Sequence, residues 1–120
     1  TGIGYRKDPF TGEKRFHHGL DISANKGTEV YATANGKVVS AGKMGNYGKT
    51  IKINHGYGYH TFYAHLHEIS VKRGQKILRG DIIGQVGNTG RSTASHLHYE
   101  VHYLGTPQDP EHYFLARDLR

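Results

Sequence analysis

The 120-residue sequence contains no cysteine, which excludes disulfides and any metal site built on thiolates. It contains no run of 18 apolar residues, so nothing in it reads as a membrane-spanning helix. Proline is scarce, at three residues, whereas glycine reaches 17. With apolar segments recurring throughout, that balance points to a turn-rich β protein rather than a disordered one. No stretch carries a sustained 3.6-residue apolar period. There are no low-complexity segments, linkers or internal repeats, and no glycine-rich phosphate loop opens a helix. Acidic residues are in the minority, 10 against 16 basic ones, giving a net charge of +6. A basic surface favours anionic partners such as nucleic acid, cell-wall polymers or membrane surfaces, without choosing among them. No nucleic-acid-binding motif accompanies the charge, so nucleic acid is not expected as a partner.

What is present is a series of short apolar segments punctuated by glycines. Strands are expected at Glu29–Thr33, Lys37–Ala41, Lys49–Asn54, His60–Ala64, Lys76–Leu78, Asp81–Val86 and Leu97–Tyr103. Thr50-Ile51-Lys52-Ile53-Asn54 alternates polar and apolar, as a half-exposed strand does. A helical turn is expected near Pro110–Leu115, with fraying over Thr1–Phe10 and Arg117–Arg120. The length suits one domain spanning residues 1–120, large enough for a core. The chain begins at Thr1, which predicts a piece of a longer protein whose signal peptide or anchor lies elsewhere.

The residues that carry chemistry stand out against this background. His96 and His98, two apart on the last long strand, point to one face and sit about 7 Å apart along the backbone. Leu97, Tyr99, Val101 and Tyr103 fill the opposite, apolar face. Far upstream, His17 and Asp21 are four apart, with Gly19 between them. Gly19 argues against a helix there. On a straight strand His17 and Asp21 would be about 13 Å apart, too far to share an ion, so the chain is expected to bend at Gly19. Histidine and carboxylate are ligands of catalytic zinc, and three protein ligands leave the open fourth position that such sites use. By spacing alone His17 and His18 remain alternatives.

These motifs resemble those of the lysostaphin-like M23 family of zinc metallopeptidases, and the resemblance covers nearly the whole chain. His17-His18-Gly19-Leu20-Asp21 is similar to the family's H-x-G-x-D, Tyr63-Ala64-His65-Leu66 to its Y-x-H-L, and His96-Leu97-His98 to its H-x-H. Gly27–Ala32, Gly36–Val39, Gly74–Gly84 and Gly87–Thr93 match its strands and turns. One departure is Ala94-Ser95, where relatives commonly carry a glycine before the final H-x-H. The resemblance implies zinc held by His17, Asp21 and His98, with His65 and His96 as the catalytic histidines. It leaves open which of these two is base and which is acid. Zinc would polarise a peptide carbonyl and acidify water, and the two histidines would move protons. The resemblance implies a mostly β fold, a central antiparallel sheet with smaller strands and loops forming a substrate groove. It also implies hydrolysis of peptide bonds in peptidoglycan, in the periplasm or outside the cell, by a monomer.

Other readings are weaker. A lone histidine is more often solvated or hydrogen-bonded than a ligand, which is the expectation for His18, His55, His60, His67, His102 and His112. His102 shares a face with His98 but lies about 13 Å along the strand, beyond the expected metal. Glu100 points to the site face and is a candidate for a supporting role. A non-catalytic wall-binding module of the same fold is the alternative function, and such relatives lack motif residues that this chain retains. A biotinyl or lipoyl carrier would need a lysine in a set hairpin context that Lys43-Met44 does not supply.

Overall fold

The computed structural model describes residues 6–7, 14–15, 19–89 and 95–109. Among them the structure is almost entirely antiparallel β, with a single 3₁₀ turn at Gly45–Tyr47. In chain order the strands are β1 (Arg6–Lys7), β2 (Lys14–Arg15), β3 (Leu20–Ser23), β4 (Glu29–Tyr31), β5 (Gly36–Lys43) and β6 (Lys49–Gly56). They continue with β7 (Tyr59–Ile69), β8 (Lys76–Ile77), β9 (Ile82–Val86), β10 (His96–Tyr103) and β11 (Thr106–Gln108). The main sheet runs β1-β2-β3-β10-β7-β6-β5-β8, with β11 on β10 and a β4–β9 ribbon joined to the second half of β7. The mostly β, antiparallel expectation is therefore met. All seven expected strands form, within one to five residues at their ends. Strands β1, β2, β3 and β11 were not anticipated, and β1, which lies in the segment Thr1–Phe10 expected to fray, pairs with β2. The helical turn expected near Pro110–Leu115 lies outside the described residues.

The core follows from period-two alternation. Leu97, Tyr99 and Val101 of β10 are buried with Leu20 and Ile22 of β3, Ile51 and Ile53 of β6, and Tyr63 and Leu66 of β7. Tyr103 keeps the parity of that face but lies at the strand end, 40% exposed, against Tyr59 with ring centroids 4.7 Å apart. The two largest fully buried side chains, Tyr63 and Tyr99, carry hydroxyls that need partners. Thr33 supplies them: its Oγ1 lies 3.0 Å from each phenolic oxygen, and its backbone N–H donates to Tyr63 at 3.1 Å.

Strand β7 breaks the alternation twice, between Tyr63 and Leu66 and again between Leu66 and Glu68, and the first break concerns the site. Tyr63 and Leu66 are both buried in the core although three residues apart, which a regular strand forbids. The register against β6 shifts between Lys49 and Ile51, opposite Leu66 and Tyr63, so β7 holds one extra residue there. His65 absorbs it with φ of 60°, a left-handed conformation uncommon outside glycine. Such a bulge bends a strand and re-aims a side chain. The expected strand His60–Ala64 stops where the bulge begins, whereas β7 continues through it to Ile69.

Candidate active site

The polar face of β10 and its two neighbours carry the site. Asp21 of β3 and His98 of β10 are directly opposite in register, with Ala64 of β7 on the other side of His98. Directly opposite residues share a face, and the Asp21 carboxylate Oδ1 accepts a hydrogen bond from His98 Nδ1 at 2.6 Å. His96 Nε2 lies 3.8 Å from the same oxygen. The bulge at His65 sets its ring beside these two, with centroids 4.8 Å from His96 and 6.1 Å from His98. Four of the five expected site residues, Asp21, His65, His96 and His98, thus converge on one patch. The fifth, His17, and its alternative His18 lie outside the described residues.

Gly19 is required here for a reason other than the expected bend. Its φ is outside the left-handed region. A Cβ at this position would lie 2.7 Å from His98 Cε1 and 2.9 Å from Glu100 Cγ, closer than carbon atoms approach without repulsion. Only the absence of a side chain lets β3 enter against the His98 ring.

The electrostatics divide the histidines. Burial pulls the His98 pKa down, but its hydrogen bonds to Asp21 and Glu100, together with their charges, outweigh this and raise it to about 9. Both ring nitrogens therefore carry hydrogen when no metal is bound, each donating to a carboxylate. Burial pushes the His65 pKa below 6.5, reinforced by His96 and His98 and opposed by the Thr89 carbonyl and the Asp21 charge. His65 Nδ1 donates to Thr89 O at 2.7 Å, so the neutral ring presents Nε2 as an acceptor.

Two residues outside the expected site complete it. The Glu100 side chain is buried, and its Oε2 accepts from His98 Nε2 at 2.6 Å and from the Tyr47 hydroxyl at 2.9 Å. Its Oε1 accepts from His102 Nε2 at 2.8 Å. Burial raises the Glu100 pKa, but these hydrogen bonds and the charge of His98 prevail and hold it below the usual carboxylate value. The Tyr47 hydroxyl is pushed up to about 12 by burial and by the charge and hydrogen bond of Glu100. Strand parity made Glu100 legible, but no sequence signal marked Tyr47, which arrives from a 3₁₀ turn. His102 is hydrogen-bonded as expected of a structural histidine. His55 is too, donating from Nδ1 to Asn35 O at 2.6 Å, with Nε2 2.7 Å from Thr61 Oγ1.

The donor set suits a divalent metal. An imidazole nitrogen and a carboxylate oxygen face one another, and the other imidazole nitrogen is secured by a second carboxylate, as is usual for metal-ligating histidines. Among the described residues no three ligand-type side chains form a complete metal-holding group.

Comparison with known proteins bears on this geometry. Residues 15–110 match peptidase family M23. The chain is 44% identical over 108 residues to a DD-carboxypeptidase/endopeptidase of Neisseria meningitidis, covering 90% of this chain and 25% of that protein. It therefore spans about a quarter of the length of such relatives. The catalytic domain of the antimicrobial peptidase lysostaphin from Staphylococcus simulans superposes with a TM-score of 0.78 at 35% identity, covering 94% of this chain and 88% of that one. A zinc-containing peptidase from Vibrio cholerae superposes with a TM-score of 0.74 at 38% identity, covering 88% of this chain and 35% of that one. With Asp21, His65, His96 and His98 gathered on one patch and the family matched over residues 15–110, the chain belongs to peptidase family M23.

Proposed function

We propose that this chain is the catalytic domain of a zinc-dependent endopeptidase that hydrolyses peptide bonds in peptidoglycan. The observation that carries the reading is the convergence of Asp21, His65, His96 and His98, from three motifs spread over 77 residues, on one patch of an M23 domain. Asp21 and His98, with His17, are assigned as the metal ligands. When bound there, the metal would serve as a Lewis acid toward a peptide carbonyl and acidify water. His65 is assigned as the base. Its neutral ring is pinned through Nδ1, which leaves Nε2 to accept a proton. His96, beside it and near Asp21, is assigned to hold the proton that the departing amine takes up. The patch offers one metal position and histidines rather than the paired carboxylates used by glycosidases.

The bond proposed is a D-alanine-containing cross-link, in keeping with the 44% identity to a DD-carboxypeptidase/endopeptidase. The site of action proposed is the bacterial cell envelope. No helix among the described residues is long and apolar enough to cross a membrane. The alternative of a non-catalytic wall-binding module is disfavoured because every motif residue is retained.

The test is digestion of directly cross-linked and glycine-bridged sacculi with the zinc-loaded domain, with products identified by mass. New amine termini and intact glycan chains from directly cross-linked walls are expected. New reducing ends, or no release from either wall, would overturn the reading.

A further inference from the structure

Glu100 is a buried acid to which the proposed chemistry gives no task. It is 2% exposed, and a buried carboxylate costs several kcal/mol unless its charge is compensated. Packing alone does not call for one, since an apolar side chain of similar volume fills such a space at no electrostatic cost. Here the compensation is specific. Three donors from two segments, β10 and the 3₁₀ turn, converge on two oxygens: His98 Nε2 and Tyr47 on Oε2, and His102 Nε2 on Oε1. Each donor is itself held. The Tyr47 ring stacks on His98, centroids 5.7 Å apart and planes 21° from parallel. His102 packs on Phe62 at 4.6 Å. The carboxylate is thereby gripped at both oxygens and cannot rotate away from His98.

The chemical consequence falls on His98. A carboxylate accepts hydrogen bonds and cannot donate them. Both nitrogens donate to a carboxylate in the metal-free domain, but Glu100 is clamped and holds the hydrogen on Nε2, so Nδ1, directed at the proposed ligand Asp21, is the nitrogen that gives up its hydrogen to bind a metal. We infer that Glu100, clamped by Tyr47 and His102, is a positioning residue that selects the His98 tautomer and orientation and so sets the metal affinity of the site. This rests on the proposed assignment of Asp21 and His98 as ligands. Tyr47 contributes to the same end twice, through its hydroxyl on Glu100 and its ring on His98. An amide in place of the carboxylate would offer His98 either a donor or an acceptor and would no longer choose between tautomers.

The experiment measures zinc affinity by competition with a chromophoric chelator in the wild type, Glu100→Gln, Tyr47→Phe and His102→Gln, alongside thermal unfolding of the metal-free proteins. The ¹⁵N signals of the His98 ring are recorded with zinc bound. Glu100→Gln is expected to weaken zinc binding by roughly 10- to 100-fold, with smaller losses in Tyr47→Phe and His102→Gln. The wild-type ring is expected to carry hydrogen on Nε2 alone. A merely structural role would lower unfolding temperature without moving affinity or the ring signals. Tyr47→Phe, which loses one hydroxyl and keeps its ring, decides the matter should Glu100→Gln fail to fold. Wild-type affinity in both variants, or hydrogen on Nδ1 of the zinc-loaded wild type, would overturn the inference while leaving the proposed function standing. A wild-type domain that takes up no zinc would overturn both.

Discussion

Gly19→Ala is expected to damage the site far more than the fold, and two opposing effects set the size of each. Gly19 has a φ outside the left-handed region, so alanine there loses less chain entropy on folding and gains about 0.4–1 kcal/mol. The new methyl, however, would lie 2.7 Å from Cε1 and 2.9 Å from Nε2 of His98. Ordinary carbon contacts are about 3.5–4.0 Å, so the ring or the β3 backbone must yield by roughly 0.8 Å. Overpacking of this kind costs about 1–3 kcal/mol, which exceeds the entropic gain and leaves a net loss of roughly 1–2 kcal/mol. The ring has little freedom to yield, because hydrogen bonds of 2.6 Å hold both of its nitrogens. Misplacement of a reacting group by about 1 Å can cost on the order of 10²-fold in rate. Differential scanning calorimetry, zinc titration and a cross-link hydrolysis assay on one preparation separate the two effects. The expected result is a cooperative transition a few degrees lower, weakened zinc binding and a rate reduced about a hundredfold. Full rate and full zinc affinity in Gly19→Ala would refute the argument that β3 is pressed against the His98 ring.

Asp21→Ala and His98→Ala are expected to lose zinc, whereas His65→Ala and His96→Ala keep it and lose about 10²–10⁴-fold in turnover; zinc content and rate measured in all four variants separate ligands from proton carriers. His18→Ala should change neither quantity, and a metal-free His18→Ala would make His18 the ligand in place of His17. Because burial holds the His65 pKa below 6.5, the base stays neutral into mild acid, so with zinc kept saturating at every pH the rate should rise to a plateau reached before neutrality; an acid limb with its midpoint above 6.5 in the fully zinc-loaded domain would contradict His65 as base. In the metal-free domain His98 has its pKa raised from 6.5 to about 9, so the folded state holds this proton more tightly than the unfolded one. That contribution to stability is fully present below pH 6.5 and is lost as pH rises through about 9. Zinc uptake, which displaces the same proton, should strengthen over that range. Unfolding temperatures and zinc titrations across the range check both directions.

The polar–apolar alternation of β10 was plain in the sequence, because a strand packed on one side must show it, and it carried the His96–His98 pair and Glu100 with it. Strand β3 was missed although Leu20–Ser23 alternates, because only its long-range pairing with β10 distinguishes these four residues from an extended loop. The placement of His65 could not be read from strand period at all. Simple alternation from Tyr63 would turn it into the core, and only the extra residue in β7, with φ of 60° at His65, brings it beside His96. Its motif marked His65 as important without indicating how it reaches the site. Tyr47 was invisible for a different reason, since its contacts with His98 and Glu100 span more than 50 residues and depend on where a 3₁₀ turn lands. Gly19 was noticed as a break in helix pattern, but its steric role depends on the His98 ring and appears only once β3 and β10 are paired.

Strand β10 lies inside the sheet, flanked by β3 and β11 on one side and β7 on the other, and its apolar side chains belong to the central core. Its amide hydrogens are therefore shielded from solvent along most of its length, and their exchange requires opening of the whole sheet rather than local fraying. His96 and His98 ride on this shielded segment. Heating should leave them in register until the domain melts as a unit, so that loss of activity and loss of β10 amide protection coincide in temperature.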